Sequence, residues 1–299
     1  MLGKLWHSRT THLLLMLIPG IMLVMLFSII PMAGIVMAFQ KYNPVKGMFH
    51  SEWIGLDNIR FMLINPESAQ IFKNTVIIAL LKMTAGLLVP IVFALMLNEL
   101  RVLWFKRVIQ TVVYLPHFLS WVIIAGIIKD ILSYNGVVNV LLGYAGFEPI
   151  KFMGSSVMFR PLLVVTDVWK EFGFSAVIYL AALTGISPHL YEAAEIDGAT
   201  RMQKLRYITL PGIAATVVLL ATLSLQNVLN AGFDQVFNLY NPLVYSTGDI
   251  IDTYVYRSGL EQGNYEVATA IGLFKSVISF VLIIAAYHLA KRFAGYKIF

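Results

Sequence analysis

Six long apolar runs constrain the fold of this chain more than any other feature of its sequence. A helix needs about 20 mainly apolar residues to cross the hydrocarbon core of a bilayer. Because lipid offers no partner to backbone N–H and C=O groups, each run is predicted to be helical. The sequence therefore predicts an all-α integral membrane protein with six transmembrane helices, at roughly 13–39, 75–97, 109–128, 161–183, 212–231 and 269–290.

Composition supports a membrane location and excludes several other classes. Hydrophobic residues make up 59% of the chain and charged residues 13%, which leaves too little polar surface for a soluble domain. The net charge is +6, and the positive residues lie beside the apolar runs. Their position indicates membrane topology rather than nucleic-acid binding. The chain has no cysteine, which excludes disulfides, iron–sulfur clusters and thiolate chemistry.

The distribution of Lys and Arg predicts the orientation of the chain. Six spans place both termini on one side, where the segments hold eleven Lys or Arg against eight in the longer opposite loops. Lys and Arg concentrate on the cytoplasmic face, so we expect cytoplasmic termini. The predicted organisation is a cytoplasmic N-terminus at 1–12, a six-span domain at 13–299, and extracytoplasmic loops at 40–74, 129–160 and 232–268.

The polar stretch between the fourth and fifth runs carries the signals of two short helices. Ser187 precedes a proline at the start of the first helix, and Gly198 is a left-handed stop at its end. Thr200 and Gln203 have the spacing of a capping box that starts the second helix, which is predicted to end at Pro211. The pattern predicts helix, glycine elbow, helix on the cytoplasmic side.

The first of these helices has the composition of a docking element. Ala193 and Ala194 leave room for another backbone, while Glu192, Glu195 and Asp197 offer charge to a basic partner. The alternative is a helix that lies in the membrane interface, but an acidic face is disfavoured against anionic headgroups. The residues alone favour docking to a cytoplasmic partner.

This stretch resembles the EAA loop of binding-protein-dependent ABC importer permeases. The motif E-A-A, three residues, G, nine residues, I-x-L-P is met by Glu192, Ala193, Ala194, Gly198, Ile208, Leu210 and Pro211. The segments "YLPHFLSWVI", "DVWKEFGFSAVIYLAALTGISPHLYEAAEIDGAT" and "GFDQVFNLYNPLVYSTGDIIDTYVYRSGL" resemble the carbohydrate branch, of the LplB oligosaccharide permease type. The resemblance implies the type I importer permease fold, in a bacterial plasma membrane, with a coupling loop at 184–211 that is seated in a separate ATPase.

The resemblance also implies partners and a cargo. These are a second permease in a heterodimer, an ATPase dimer that binds ATP and Mg, an extracytoplasmic solute-binding lipoprotein, and a sugar or oligosaccharide. The chain itself lacks the phosphate loop G-x-x-x-x-G-K-[ST], so no cofactor is expected in it. The residues expected to couple to the ATPase are Glu192, Ala193, Ala194, Asp197 and Gly198.

Polar side chains inside the apolar runs are candidates for a solute path. A charge within a span costs about 3 kcal/mol on insertion scales, so each of Lys82, Asp167, Lys170, Glu171 and Lys275 requires a partner or a function. Asp167, Lys170 and Glu171 share one face of the fourth predicted helix. The alternatives are an internal salt bridge or a position near the membrane surface.

The fifth predicted helix carries a second polar stripe at steps of three residues, Ser224, Asn227 and Asn230. This stripe either binds neighbouring helices or lines a path for a hydroxyl-rich solute. His117 is a lone histidine, for which hydrogen-bonded packing is the alternative to lining the path. The resemblance supports the path, because the family's substrate-contacting positions fall on residues 117, 167, 170, 171, 224 and 227. The predicted path comprises His117, Asp167, Lys170, Glu171, Ser224, Asn227 and Asn230.

An intramembrane enzyme, rhomboid-like or lipid-modifying, is the alternative from another class. The sequence has neither H-E-x-x-H nor G-x-S-x-G, and "GFSA" at 173–176 with His288 is a weak rhomboid-like match. The histidines do not suggest a metal site, because most lie outside or at the edges of the runs. A third alternative is a permease of the same family for a solute other than a sugar.

Overall fold

The structure is a computed structural model that describes residues 9–225 and 227–294. Numbered in chain order, its α-helices are α1 Arg9–Val24, α2 Asp57–Ile64, α3 Pro66–Glu99, α4 Leu103–Tyr114, α5 Trp121–Ile131, α6 Val137–Tyr144, α7 Ser156–Thr184, α8 Pro188–Ile196, α9 Arg201–Lys204, α10 Leu210–Leu225, α11 Phe233–Leu239, α12 Tyr245–Gly248, α13 Ile251–Tyr256 and α14 Tyr265–Ala294. Shorter 3-10 or π segments are Met25–Ile29, Ile30–Phe39, Leu115–Phe118, Leu205–Thr209, Pro242–Val244 and Arg257–Glu261. An antiparallel ribbon pairs β1 Gln40–Lys41 with β2 Glu52–Trp53.

The helices account for the predicted membrane fold. In the described residues, four helical segments are long and apolar enough to cross a bilayer: Leu13–Phe39, Pro66–Glu99, Arg201–Leu225 and Tyr265–Ala285. Two bent pairs bring the number of spans to as many as six: Leu103–Phe118 with Trp121–Ile131, bent by 103°, and Ser156–Thr184 with Pro188–Ile196, bent by 65°. The predicted fold class, an all-α membrane protein with six spans, agrees with this arrangement.

Two prolines shape the spans in which they lie. Before Pro31, the Ile30 N–H bonds to Met25 O, and before Pro211, the Leu210 N–H bonds to Leu205 O. Both are wide π-type turns, and the extra residue relieves the clash of a proline ring with the carbonyl four residues earlier. The prediction that a helix ends at Pro211 is therefore wrong, because the wider turn lets Arg201–Leu225 continue through it.

Two further predicted spans differ from the structure. The third, 109–128, is not one continuous helix: α4 ends before Pro116, and Ser120 starts α5 by accepting a hydrogen bond from the Ile123 N–H at 3.4 Å. The fifth begins at Arg201 instead of 212 and ends at Leu225 instead of 231. The predicted loops 40–74, 129–160 and 232–268 contain short helices and the first turns of α3, α7 and α14. Most of the predicted N-terminal segment, with Lys4, and also Lys297 lie outside the described residues.

Of the described residues, 9–64 together with Val255–Phe274 form one compact unit. The most apolar window of Leu13–Phe39 has none of its residues buried by the described part of the chain. The Asn58 side chain on α2 donates to Ala38 O at 3.0 Å and to Gln40 O at 2.9 Å. These bonds fix α2 against the point where the first span meets the ribbon.

The described residues of Asn65–Tyr254, together with 275–294, form the other unit, which holds the candidate site. Its centre is the packing of α3 against α7. One apolar core includes Ile78, Phe159, Leu163, Val236 and Ile250, and a second comprises Ala94, Ala176, Tyr179, Leu183 and Ile213.

A glycine sets the distance between α4 and α7. A Cβ built on Gly173 would lie 2.4 Å from the carbonyl oxygen of Val113, so only glycine allows this close crossing. The crossing lies one turn from Lys170 and four residues from His117. It therefore brings the break between α4 and α5 against the polar face of α7.

Candidate functional site

Lys82 is a buried cation that joins three parts of the fold. It lies in α3, and its side chain is 9% exposed. Its Nζ lies 3.2 Å from Asp167 Oδ1 on α7 and donates to Ala231 O at 2.7 Å and to Gln235 Oε1 on α11. All three ammonium N–H groups thus have an acceptor, as a buried charge requires.

The same group of bonds fixes the chain after α10. Gln235, which accepts from Lys82, is also bonded to α7: its Nε2 donates to Leu163 O at 2.7 Å and to Thr166 Oγ1 at 2.8 Å. Gly232 precedes α11 with φ of +89°, and a Cβ on it would lie 2.9 Å from Lys82 Nζ. A side chain at residue 232 would therefore be strained and would also press on the ammonium group.

A cavity of about 200 Å³ opens beside this cluster. Four of the predicted path residues line it, namely Asp167, Ser224, Asn227 and Asn230. Lys82 lines it as well, although the predicted path does not include this residue. The sequence does contain a signal for this role: Lys82 is an isolated lysine in an apolar run, and such a lysine needs an acceptor elsewhere in the fold.

The polar residues of the fifth span reach the cavity in a different way from the prediction. Helix α10 ends at Leu225, and Asn227 and Asn230 lie in the turns that follow, with Asn227 N–H bonded to Ser224 O and Asn230 N–H bonded to Asn227 O. A helical stripe through all three residues is therefore wrong. The turns still place both amides in the cavity wall, where they are exposed.

A second cluster lies at the break between α4 and α5. His117 Nδ1 is 2.7 Å from Glu171 Oε2, and Lys170 Nζ is 2.7 Å from Glu171 Oε1. Lys170 Nζ also donates to His117 O at 2.9 Å, which closes a ring of three residues. The broken helix leaves this carbonyl without an intrahelical donor, and the lysine supplies one.

Aromatic rings surround this ring of polar contacts. The His117 imidazole stacks on Phe174, with ring centroids 4.0 Å apart and planes 1° apart. Lys170 Nζ lies 5.7 Å from the centre of the Trp121 ring, on the first turn of α5. The Lys170 side chain is only 8% exposed, while that of Glu171 is 38% exposed. Glu171 is therefore the charged member of this cluster that faces the surroundings.

The predicted charges of α7 thus separate into two groups. Asp167 pairs with Lys82, and Glu171 pairs with Lys170 and contacts His117. The Lys170–Glu171 pair is an internal salt bridge, as one sequence alternative proposed. Each carboxylate is compensated by a lysine, so the two lysines and two carboxylates carry no net charge.

The predicted glycine elbow is present after α8. Gly198 has φ of +75°, and the Ala199 N–H bonds back to Ala194 O at 2.8 Å. Thr200 and Gln203 form the predicted capping box at the start of α9. Ser187 precedes α8 in extended conformation, but its side chain makes no capping hydrogen bond.

Contacts on the inner side of α8 fix it to the base of the fifth span. Tyr191 OH lies 2.9 Å from Thr209 Oγ1. Lys204 donates a hydrogen bond to Glu195 Oε1 at 2.5 Å and thereby lowers the pKa of that carboxyl from its ordinary value. A Cβ on Gly212 would meet the Ile186 side chain at 2.6 Å, so the loop packs closely on α10.

Among the described residues, the outer side of α8 makes no such contact with the fifth span, and Glu192 contacts only His189 of the same helix, at 3.1 Å. Glu192, Ala193, Asp197 and Gly198 are exposed, and Ala194 is half-buried. Ile196 is 87% exposed. A short helix that is fixed on one side and exposed on the other can transmit a push from a docked partner to the span that follows it.

Comparisons with known proteins agree on one family. Residues 86–295 match the family described as "Binding-protein-dependent transport system inner membrane component". The chain is 41% identical over 283 residues to the polygalacturonan/rhamnogalacturonan transport system permease protein YteP of Bacillus subtilis (strain 168), covering 94% of this chain and 88% of that protein. It is also 41% identical to Protein LplB of the same organism, covering 96% and 90%.

Solved structures show the same fold. A crystal structure of a bacterial ABC transporter involved in the import of the acidic polysaccharide alginate contains a chain that matches with a TM-score of 0.88 and 38% identity, covering 97% of this chain and 99% of that one. A second structure is the bacterial alginate ABC transporter in complex with an alginate pentasaccharide-bound periplasmic protein. Its chain matches with a TM-score of 0.87 and 38% identity, covering 95% of both chains.

Proposed function

Because the chain belongs to the family of binding-protein-dependent transport system inner membrane components, we propose that it forms half of the translocation path of an ATP-driven oligosaccharide importer. It is a sugar-transport permease subunit and not an enzyme. The observation that carries the proposal is the match to permeases of this kind along almost the whole chain, at 41% identity. The rhomboid-like alternative has no support, because no hydrogen bond joins Ser175 of the "GFSA" match to His288 among the described residues.

The path is formed by the cavity beside Lys82 and the cluster around His117. Asn227 and Asn230 offer amide donors and acceptors, and the Asp167 and Glu171 carboxylates accept hydrogen bonds from sugar hydroxyls. Amides carry no net charge, so they bind a hydroxyl-rich solute without the strong electrostatic attraction that would prevent its release. The two clusters lie on successive turns of α7, so a sugar chain can contact both.

The cargo is an oligosaccharide derived from an acidic polysaccharide. Support comes from the relatives, whose names specify polygalacturonan, rhamnogalacturonan and alginate. The charges of the path are compatible with such a cargo, because Lys82 compensates Asp167 and Lys170 compensates Glu171. A uronate would meet no net repulsion, whereas unpaired carboxylates at the same positions would repel it.

The loop around α8 couples the permease to a separate ATPase dimer, which binds ATP and Mg. The exposed side of α8, with Glu192 and Ala193, docks in that ATPase. Eleven Lys or Arg on the side of the termini and eight on the other orient this loop and both termini to the cytoplasm of a bacterial plasma membrane. A second permease completes the path, and an extracytoplasmic solute-binding lipoprotein delivers the sugar.

Uptake by the reconstituted complex tests the proposal. Proteoliposomes hold this chain with its partner permease and ATPase, and the binding protein is added outside. We expect ATP-dependent accumulation of galacturonate or alginate oligomers and little accumulation of neutral malto-oligosaccharides. Preference for the neutral sugars would contradict the cargo, and no ATP-dependent uptake of any sugar would contradict the function.

A further inference from the structure

A second and larger cavity lies away from the proposed path. Its volume is about 460 Å³. It opens where the end of α3 meets α8 and the start of the fifth span, which consists of α9 and the π turn Leu205–Thr209. The side chains that matter for its chemistry are Arg101, Arg201, Lys204, Met96, Met202 and Glu99. Neither the family match nor the path gives this cavity a ligand.

The two arginines of this cavity make no direct contact with an acid in the described part of the chain, although the charge of Arg101 contributes to lowering the pKa of the Glu195 carboxyl. Lys204 is paired with Glu195 at 2.5 Å. Arg101 and Arg201 make no ion pair or side-chain hydrogen bond among the described residues. Glu99 is the remaining acid in the lining, so the cavity retains a positive charge. Guanidinium groups favour phosphate oxygens, because their planar fork of donors matches that geometry.

The position of the cavity favours a lipid over a soluble anion. Helix α3 has 34 residues, about 50 Å at 1.5 Å per residue, and therefore extends well beyond the hydrocarbon core of about 30 Å. The apolar run at 75–97 ends within the last turn of this helix, which therefore reaches the headgroup region. Met96 and Met202 are 68% and 69% exposed beside the arginines. An inorganic anion would leave these apolar side chains in water, whereas a phospholipid covers them.

We propose that this cavity binds the phosphodiester of an anionic phospholipid, with Arg101 and Arg201 as the phosphate ligands. Met96 and Met202 contact its glycerol and the upper part of an acyl chain. Basic pockets at the ends of membrane helices bind such headgroups by this combination of charge and apolar contact. The lipid bridges the end of α3 and α9, and it thereby stabilises the loop that carries α8 on the side that faces α3.

Native mass spectrometry of the purified complex tests the proposal without a transport assay, so its failure is distinguishable from failure of the proposed function. The complex is equilibrated in nanodiscs of phosphatidylcholine with phosphatidylglycerol, and retained lipids are counted after release. Arg101→Gln/Arg201→Gln should lose one retained phosphatidylglycerol relative to the unaltered complex. The matched control Arg107→Gln/Arg206→Gln, at exposed arginines outside the cavity, should retain it.

Two outcomes would overturn the assignment. One is an unchanged lipid count in the Arg101→Gln/Arg201→Gln complex. The other is displacement of the retained lipid by millimolar inorganic phosphate, which would assign the cavity to a soluble anion. Thermal unfolding of both double variants verifies that any loss of lipid does not come from an unfolded chain.

Discussion

Replacing Lys82 with methionine removes the cation that joins α3, α7 and the segment before α11. Methionine keeps most of the length of the side chain but none of its three donors. Asp167 remains with a side chain that is only 26% exposed and has lost the ammonium 3.2 Å away. Removing one partner of a buried ion pair costs about 3–5 kcal/mol, so we expect the free energy of unfolding to fall by about that amount.

A double-mutant cycle separates the ion pair from the other contacts of Lys82. Asp167→Asn removes the negative charge and leaves Lys82 with only the neutral acceptors Ala231 O and Gln235 Oε1. The combination Lys82→Met/Asp167→Asn removes both charges, so neither is left unpaired in the protein. We expect the double variant to cost less than the sum of the single variants, by about 1–3 kcal/mol.

The free energy of unfolding is measured by SDS titration of the purified chain in mixed micelles. Leu80→Met is a matched control on the same helix, because this side chain is 41% exposed and has no polar partner to lose. We expect the control to change the free energy by less than about 0.5 kcal/mol. A cost below about 1 kcal/mol for Lys82→Met, or simple additivity in the double variant, would refute the assignment of Lys82 as the joining cation.

Three further predictions concern transport. Asn227→Ala should lower sugar uptake by two- to tenfold, since a lost hydrogen bond costs about 0.5–1.5 kcal/mol, with unchanged abundance by immunoblot; unaltered uptake would assign Asn227 to packing. Lys170→Met leaves Glu171 uncompensated, so acidic oligomers should lose more uptake than neutral ones in a competition assay, and equal losses would count against charge compensation. Gly198→Asp adds a charge to the elbow and places a residue with a Cβ at φ of +75°, which costs about 1 kcal/mol of backbone strain. We therefore expect that the binding protein no longer stimulates ATP hydrolysis in this variant. Normal stimulation would exclude a coupling role.

Local signals in the sequence were sufficient for the loop that carries α8. The capping box of Thr200 and Gln203 and the left-handed Gly198 depend on neighbours within a few residues, so their geometry could be predicted without the fold. The same reliance on neighbouring residues gives the wrong prediction at Pro211. A proline normally ends a helix, but the compensating π turn at Leu205–Thr209 has no distinctive residue pattern.

The contacts of the candidate path depend on residues far apart in the chain. Lys82 and Asp167 are separated by 85 positions, and only the packing of α3 against α7 brings them together. The sequence could show that each charge needed a partner, but not which partner. Asn227 and Asn230 were placed on a helix because their spacing is helical, whereas the chain turns after Leu225 and still delivers both amides to the cavity.

Crosslinking from α8 tests most directly the claim that this helix receives work from a separate ATPase. The chain has no cysteine, so Ala193→Cys introduces a unique thiol on the exposed side of α8. In native membranes, a photoactivatable thiol reagent on this residue should crosslink to the ATPase subunit, with a yield that changes between the ATP-bound and nucleotide-free states. Ala145→Cys, in the predicted extracytoplasmic loop after α6, should give no such product. Failure of Ala193→Cys to crosslink to the ATPase in either state would contradict the coupling account.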